Sequence, residues 1–367
     1  MLTPFDEYPI HQTAVPVAQV GDGHPDAYDR FWFNGYRDDL YFGIAMARYP
    51  NRGILDAAFS VLHDGVQRSV FASGRAPLDP TVTTVGPISI DITDPLRVNT
   101  VIVDAPEHDL TAELTYTTRT AVVEEPRQTM YDGPRLVMDA TRLTQMGTWT
   151  GTITTGGTTI DVGGATTRGT KDRSWGIRPV GQPAPAAPAQ RAPQIFFLWA
   201  PLQFDDECVH MLVFEEPDGT RWAESALRVP VLAPGDPLFG PSTGGTPLGR
   251  VEHAVRWEPG LRRSRGATWS LPDGSTIELE PLLTFRMRGI GYLHPEWGHG
   301  IWQGELAVHG EAPLAADLDT LDPSCVHVQQ VMRATWGDKV GLGVMEQLAF
   351  GPHHPSGLDG LLDGYAG

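Results

Sequence analysis

The chain has 367 residues, of which 41% are hydrophobic, and a formal net charge of -18. The hydrophobic fraction supports a packed core and excludes wholesale disorder. The charge excludes nucleic acid and anionic lipid as expected partners, because phosphate is repelled over most of the surface. No apolar run approaches the roughly 20 residues of a membrane helix, and the N-terminus has no basic, apolar leader. We therefore expect a cytoplasmic protein without a membrane span.

Predicted strands follow one another along the whole chain. Short runs rich in Val, Ile, Thr, Phe and Trp alternate with many of the 41 Gly and 32 Pro residues, a pattern typical of all-β proteins. In the first half these runs are 40–49, 58–62, 69–72, 89–92, 96–104, 109–118, 148–154 and 158–162. The second half adds 195–200 and a hairpin of 268–271 with 275–279 around Asp273-Gly274.

Helical patterns are scarce. Residues 134–145 carry apolar side chains at a roughly helical spacing, which predicts a helix whose end leads into a strand. Residues 326–336 fit either a helix or a strand. We expect few helices in the fold.

A change in composition divides the chain. Pro and Ala alternate between residues 179 and 193, which predicts a stiff, exposed connector. The sequence therefore predicts an N-terminal β domain at 1–182, a linker at 183–193, a C-terminal β domain at 194–350 and a tail at 351–367.

Motifs for cofactor and metal binding are missing from the sequence. It contains no P-loop, no GxGxxG after a strand and no GxSxG, so we expect neither a cofactor nor hydrolase chemistry of that type. Cys208 and Cys325 are too few for a disulfide framework. His294 and His299 are five residues apart across a proline and a glycine, which is not the HExxH spacing, so we expect no metal site.

Three stretches contain more polar and aromatic residues than strand packing needs. The first, residues 28–49, includes Asn34, Tyr36 and Tyr41. One interpretation is that these side chains reach a pocket as hydrogen-bond donors. The other is an aromatic start to the first sheet, with Asn34-Gly35 at a turn.

The second stretch is RGTKDRSWGIR at residues 168–178. Strand alternation puts Asp172 on the face of Arg168 and Arg178, and puts Lys171 and Arg173 on the opposite face. Charges inside a strand are costly unless they are paired. A structural ion-pair cluster and a catalytic aspartate explain this pattern equally well.

The third stretch, residues 288–305, combines titratable and aromatic side chains with glycines that let the backbone bend. Histidine and carboxylate groups beside tryptophan suit proton transfer in an apolar pocket. The alternative is an aromatic-rich barrel mouth. The candidates in this stretch are Tyr292, His294, Glu296, Trp297, His299, Trp302 and Glu305.

At Lys171-Asp172-Arg173-Ser174-Trp175-Gly176 the sequence resembles the lipocalin-like superfamily of carotenoid 1,2-hydratase (hydroxyneurosporene synthase). Tocopherol cyclase and several fungal Diels–Alderases are similar in fold. Members often carry Trp-Met-Asp-(His or Arg)-Glu-(Trp or Phe) at this topological position. On this match Asp172 corresponds to the motif aspartate, Arg173 to the basic residue and Trp175 to the aromatic residue. Here Thr170-Lys171 replaces Trp-Met, and Ser174 replaces Glu.

The resemblance implies two lipocalin-like antiparallel β-barrels or curled sandwiches in tandem, with an apolar cavity between or within them. It also implies acid–base chemistry on an isoprenoid alkene or alcohol. In that chemistry an acid donates a proton, aromatic faces stabilise the cation and a base accepts a proton. The expected partner is a small apolar substrate, bound by a monomer or homo-oligomer.

Our leading hypothesis is a cofactor-independent hydratase, dehydratase or isomerase acting on a terpenoid or similar apolar molecule. Asp172 is the predicted proton donor. The base candidates are His294 or His299 with Glu296 or Glu305, and Tyr36 and Tyr41 are expected to orient the hydroxyl group. The other predicted substrate contacts are Asn34, Arg173, Trp175, Arg178, Tyr292, Trp297, Trp302 and Glu305.

Two alternative functions stay open at this point. One is a non-catalytic protein that binds an apolar ligand, in which Asp172 is purely structural. The other is a pericyclase of the Diels–Alderase type, in which the shape of the cavity matters more than acid–base chemistry.

Overall fold

The computed structural model describes residues 2–163, 166–183, 187–240 and 243–365. Over these ranges the fold is all-β, as predicted, with two curled antiparallel sheets and only short 3-10 turns. None of the described turns is long or apolar enough to cross a membrane as a helix. The turns are Pro4–Glu7, Pro50–Arg52, Pro106–His108, Met287–Ile290 and His354–Ser356.

The first half of the chain supplies thirteen described strands. They are β1 (Ala27–Arg37), β2 (Leu40–Tyr49), β3 (Ile54–His63), β4 (Val66–Arg75), β5 (Thr84–Val85), β6 (Ile88–Asp94), β7 (Val98–Ala105), β8 (Leu110–Thr118), β9 (Val123–Glu124), β10 (Gln128–Asp132), β11 (Arg135–Thr155), β12 (Thr158–Val162) and β13 (Arg168–Ile177).

The second half supplies ten more described strands. They are β14 (Ile195–Gln203), β15 (Glu207–Glu215), β16 (Arg221–Pro230), β17 (Thr246–Pro247), β18 (Glu252–Trp257), β19 (Ser264–Ser270), β20 (Thr276–Arg286), β21 (Leu306–Glu311), β22 (Val328–Trp336) and β23 (Lys339–Phe350).

The strand order shows how the two sheets are connected. The first sheet runs β21-β4-β3-β2-β1-β13-β11-β8-β7-β6-β5, and β9, β10 and β12 pair with the long strand β11. The second sheet runs β17-β16-β15-β14-β23-β22-β20-β19-β18. Strand β21 comes from the second half of the chain but extends the first sheet by pairing with β4. Residues 184–186 of the predicted linker lie outside the described residues, and the division into domains stays a prediction.

Most predicted strands coincide with observed ones. Strand β2 has the predicted bounds, and β19 and β20 form the predicted hairpin, in which Gly274 adopts a φ of 86°. The helix predicted at 134–145 is wrong, because residues 135–145 belong to β11, which pairs with β10 and, from Asp139 onward, with β13. Residues 326–336 contribute the strand β22.

The turn predicted at Asn34-Gly35 is also wrong, since both residues lie inside β1. Gly35 is required there for a packing reason. A Cβ atom at this position would lie 2.0 Å from the ring of Phe42 on the neighbouring strand. Glycine therefore follows Asn34 because the Phe42 side chain lies directly against the backbone of β1 at this position.

Each sheet curls around its own apolar core, and a third apolar layer lies between the sheets. Phe33, Phe42 and Trp149 belong to the core of the first sheet, and Phe196 and Trp269 to that of the second. The layer between the sheets is made by the opposite faces of the same strands, because side chains alternate along a strand. Its buried members include Trp32, Tyr36, Tyr41, Phe71, Phe197, Trp199, Phe214 and Phe285.

Candidate active site

Buried charged side chains interrupt the layer between the two sheets. Asp172 of β13 lies between Trp32 of β1 and Thr144 of β11 in the strand register. Its side chain faces the second sheet, whereas Lys171 and Arg173 face the core of the first sheet. We call the charged and hydrogen-bonding groups at this position the seam cluster. Its members are Arg30, Glu125, Arg142, Asp172, His210, Tyr292, His299, His327 and Glu346.

Asp172 is the carboxyl group of the cluster whose pKa is raised. Its Oδ2 atom lies 3.0 Å from Nε of Arg142, and its side chain is 9% exposed. Burial raises the pKa of Asp172 to about 6. Arg142 and Arg30 act against that shift, whereas the Glu125 and Glu346 carboxylates reinforce it. An acid with this pKa exchanges its proton readily near neutral pH.

Glu125, in contrast, stays ionised. Burial alone would raise its pKa, but Arg142 and His210 lower it to about 2. Its Oε1 atom accepts a hydrogen bond from Thr144 Oγ1 at 2.8 Å and lies 3.0 Å from His210 Nε2. Its Oε2 atom lies 3.4 Å from Arg142. Glu125 therefore fixes Arg142 beside Asp172 without itself being able to donate a proton.

A second carboxylate–histidine pair comes from the second sheet. Glu346 Oε1 lies 2.6 Å from His327 Nε2, and Gln329 donates to Glu346 Oε2 at 2.5 Å. Burial raises the pKa of Glu346, but His327, Gln329 and Arg142 shift it the other way, so that the net pKa is lowered. The pair brings an ionised carboxylate and an imidazole to the same cluster from the facing sheet.

Asn34 and Tyr41 connect the first sheet to this pair. Both donate to Gln329 Oε1, Asn34 through its amide at 2.8 Å and Tyr41 through its hydroxyl at 2.6 Å. Asn34 Oδ1 accepts from the backbone N–H of Thr170 at 2.8 Å. Burial raises the pKa of Tyr41 well above its ordinary value, so its hydroxyl stays protonated. These groups position Glu346 through Gln329.

The loop after β20 closes the cluster on another side. Arg30 donates to the Tyr292 hydroxyl at 2.8 Å, and the Arg178 guanidinium lies 5.4 Å from the centre of the Tyr292 ring. His299 lies 2.8 Å from the Ile290 carbonyl and meets Tyr292 edge-on. Burial, Arg30 and Arg178 lower the pKa of His299 well below its ordinary value. The imidazole is therefore neutral at physiological pH.

Several polar atoms of this region are buried without a hydrogen-bond partner among the described residues. They include Arg30 Nε and Nη2, Trp32 Nε1, His210 Nδ1 and His327 Nδ1. Such atoms are uncommon in folded proteins and frequently belong to functional sites. In the same described ranges, no group of three or more His, Cys, Asp or Glu side chains is arranged to hold a metal ion.

An aromatic strip extends from the cluster along the second sheet. Leu348 is two residues beyond Glu346 on β23 and is paired with Phe197 of β14, so all three share a face. Phe197 stacks on Phe214 with ring centres 4.5 Å apart, and Phe214 contacts Trp222 at 4.4 Å. Leu348 and Trp222 are only half-buried. The strip thus leads from the charged groups toward the surface.

The structure brings part of the predicted site together. Tyr36 lies in the same layer and accepts a hydrogen bond from Gln203 at 3.1 Å, and burial raises its pKa to about 12. On β1, Asn34 lies between Tyr36 and the strand position opposite Asp172. Asn34 itself is paired with Thr170. The predicted residues found in or beside the seam cluster are Asn34, Tyr36, Tyr41, Asp172, Arg178, Tyr292 and His299.

Other predicted residues lie elsewhere. Arg173 faces the first core, pairs with Asp29 at 2.8 Å and lies over the Phe31 ring. Trp175 is 41% exposed and lines a separate cavity of about 540 Å³. Because side chains alternate, neither shares a face with Asp172.

The loop candidates are divided between interior and surface. His294 Nδ1 accepts the backbone N–H groups of Glu296 and Trp297, and its Nε2 lies 3.5 Å from Glu311. Trp297 stacks on His309 rather than on the seam cluster. Glu296, Trp302 and Glu305 are exposed, and Glu305 forms an ion pair with Arg75.

Sequence reasoning missed six members of the cluster, namely Arg30, Glu125, Arg142, His210, His327 and Glu346. The rule that singled out Asp172, a charge inside an apolar strand, also applies to His210 in ECVHMLVFE and Glu346 in KVGLGVMEQLAF. Glu125 directly follows β9 in the charged run EEPRQ, where no sequence pattern distinguishes it from a solvated side chain.

Comparison with known proteins identifies a family and a related fold. The model described as "Family of unknown function (DUF8625)" matches residues 2–359. No curated protein matches the sequence. Among solved structures, kievitone hydratase from Nectria haematococca is similar with a TM-score of 0.50 and 12% identity, over 87% of this chain and 88% of that chain. At this identity the likeness concerns the fold.

Proposed function

We propose that this chain, which belongs to the DUF8625 family, is an acid–base lyase that adds water to, or removes it from, an apolar alkene or alcohol. Asp172 is the proton donor. The observation that supports this assignment is a buried carboxyl with a pKa of about 6, held 3.0 Å from Arg142 between two ionised carboxylates. General acids are tuned toward the operating pH by this kind of environment.

The base is the imidazole of His327. Glu346 accepts from its Nε2–H at 2.6 Å, which fixes the tautomer with the lone pair on Nδ1. His327 Nδ1 is one of the buried atoms without a partner among the described residues. His299 is neutral and meets the same Tyr292 ring edge-on, as His327 does, and it is the second candidate.

In hydration, the Asp172 carboxyl transfers its proton to one alkene carbon, and the π electrons form the new C–H bond. Water then bonds to the cationic carbon and releases a proton to His327. Dehydration is the reverse: the protonated His327 imidazole donates its proton to the hydroxyl, water leaves, and the Asp172 carboxylate removes the neighbouring C–H proton as the double bond forms. Both directions balance without an oxidant or reductant, so the reaction we propose uses side chains alone.

The aromatic strip is suited to the apolar part of the substrate. Phe197, Phe214 and Trp222 form a row of contacting rings that begins next to Leu348, two residues from Glu346, and aromatic rings stabilise a carbocation that has lost its hydration. A terpenoid or similar branched hydrocarbon fits this lining. The fold likeness to a protein described as a hydratase, and the resemblance at Lys171–Gly176, support the same reaction class.

The test is incubation of the purified protein with a panel of linear terpene alcohols and alkenes in H₂¹⁸O, followed by mass analysis of the products. Hydration introduces ¹⁸O into the new alcohol, and dehydration yields the alkene. Asp172→Asn should reduce turnover at least about 100-fold, the usual contribution of a general acid. Asp139→Asn is the matched control, because Asp139 lies on the adjacent strand but pairs with Arg127 at the surface.

The alternatives give different results in this experiment. A non-catalytic apolar-ligand binding protein returns the whole panel unchanged. A pericyclase yields isomers without ¹⁸O, and its activity survives Asp172→Asn. Wild-type turnover by the Asp172→Asn variant would refute the assigned role of Asp172.

A further inference from the structure

A second cavity lies away from the seam cluster, at the end of β20. Its volume is about 380 Å³, at the small end of the range for small-molecule sites, about 300–1,000 Å³. It shares no lining residue with the seam cluster. Its apolar side is formed by Leu62, Leu282, Leu283, Ala315 and Ala316, and its polar side includes His63, Arg263, Thr284, Arg286 and Thr320.

Arg286 has an unusual environment in this cavity. It is 4% exposed, and its backbone is held by Gln67, which donates to the Arg286 carbonyl at 2.8 Å and accepts from its N–H at 3.0 Å. Within the described ranges, its guanidinium makes no hydrogen bond and has no carboxylate within 4.0 Å. Burial lowers the pKa of Arg286; among its neighbours, Cys325 acts against that shift and Arg263 reinforces it.

Arg262 is a buried arginine of this protein whose guanidinium does have partners. It is 2% exposed, and its guanidinium donates to the carbonyls of Ala349, Gly351 and Gly360 at 2.7 to 3.2 Å. A buried charge without such partners costs several kcal/mol. The guanidinium nitrogens of Arg286 have no such partner among the described residues and are not among the fully buried unpartnered atoms, so they face the open space of the cavity, where a ligand can supply the missing contact.

The other charged groups of the cavity already have partners. Arg263 pairs with Glu258 at 2.6 Å, and the Asp39 carboxylate pairs with Arg37 at 2.6 Å. Asp64, also in the lining, lies 3.5 Å from His63. This leaves the guanidinium of Arg286 as the uncompensated positive charge of the cavity.

We infer that this cavity binds a small amphipathic carboxylate, whose head group pairs with Arg286 and whose hydrocarbon chain lies against Leu62, Leu282 and Leu283. The planar guanidinium matches a carboxylate through two parallel hydrogen bonds. The net charge of -18 repels anions from the surface as a whole, so binding here depends on this one buried cation. The inference is independent of the function proposed for the seam cluster.

Titration calorimetry at low salt tests this with three probes of equal chain length, namely octanoate, octan-1-ol and octylamine. We expect octanoate to bind at least tenfold more tightly than either of the others. Arg286→Met should weaken octanoate binding at least tenfold, and Arg286→Lys should retain part of it because a lysine supplies a point charge without the planar fork. Arg250→Met is the control, since Arg250 pairs with Glu252 at the surface.

Thermal melting separates loss of binding from loss of folding. Without ligand, Arg286→Met should melt at or above the temperature of the wild type, because an uncompensated buried charge has been removed. Octanoate should raise the melting temperature of the wild type but not that of Arg286→Met. If octan-1-ol binds as tightly as octanoate, if Arg286→Met binds octanoate normally, or if octanoate does not bind the wild type, the inference is wrong.

Discussion

Replacing Asp172 by Asn should make the protein more stable at neutral pH and leave its stability unchanged in acid. The pKa of Asp172 is raised from 3.8 to about 6, so between these values the folded chain holds a proton that the unfolded chain releases. Stability therefore falls as the pH rises through this window. A shift of about two units corresponds to about 3 kcal/mol lost above pH 6.

Asn has the shape of Asp but cannot ionise, so the variant avoids this loss. Part of the gain is offset because Arg142 loses a partner at 3.0 Å. Glu125, at 3.4 Å, still compensates the Arg142 charge. We therefore expect the free energy of unfolding of Asp172→Asn to exceed that of the wild type by about 1 to 3 kcal/mol at pH 7.5. Near pH 3.5 the two proteins should be equally stable.

The measurement is urea unfolding, followed by tryptophan fluorescence, for both proteins across this pH range. Asp139→Asn is the control, because hydrogen bonding from Arg127 lowers the pKa of Asp139, and its removal should not stabilise the fold at neutral pH. If Asp172→Asn is less stable than wild type at pH 7.5 and equal to it in acid, the ionised carboxylate stabilises the fold through Arg142. Asp172 would then be a structural ion-pair partner, and the proton-donor role would fail.

Three further outcomes can be measured on the same protein. Burial lowers the pKa of Lys171 from 10.5 to about 8, so the free energy of unfolding should rise as the pH increases from about 8 to 10.5. Lys171→Met should abolish that rise. In urea unfolding at pH 7 it should stabilise the fold by about 3 kcal/mol. Gly169→Ala should destabilise by about 1 to 3 kcal/mol, because its Cβ would lie 2.2 Å from Trp149 Nε1. Gly23→Ala, with open space around it, should be neutral in the same assay. The kcat/KM of the proposed hydration should decline above about pH 6 as Asp172 ionises.

The fold was largely predictable because strands leave a local signature. Alternating and β-branched runs identify β2 and the β19–β20 hairpin with little ambiguity. The apolar residues of 134–145 fit a roughly helical spacing, which is why a helix was predicted. Leu136, Met138 and Ala140 also alternate as in a strand, and so short a run does not distinguish the two patterns. What decides between them is the pairing of β11 with β13, which is distant in sequence.

The candidate site was less predictable, because it is assembled from both halves of the chain. Alternation along β13 separates Asp172 from Lys171 correctly, but it does not show which strand faces Asp172 across the layer. The partners on the second sheet are Glu346 of β23 and His327, the residue before β22. Their meeting with Asp172 depends on how the two sheets pack, which no local pattern contains.

A sequence predicts the burial of a charged side chain better in a strand than in a loop. A strand has a fixed period, so an ionisable residue amid apolar neighbours, such as Glu346, must lie on a covered face and needs a partner there. The loop after β20 has no regular alternation of side chains, so the sequence does not show which of its candidate residues point inward. Tyr292 and His299 turn toward the seam cluster, whereas Glu296 and Glu305 turn to solvent. An isolated charge in an apolar strand is therefore the stronger signal of a functional site in an all-β chain, even where a loop offers more titratable residues.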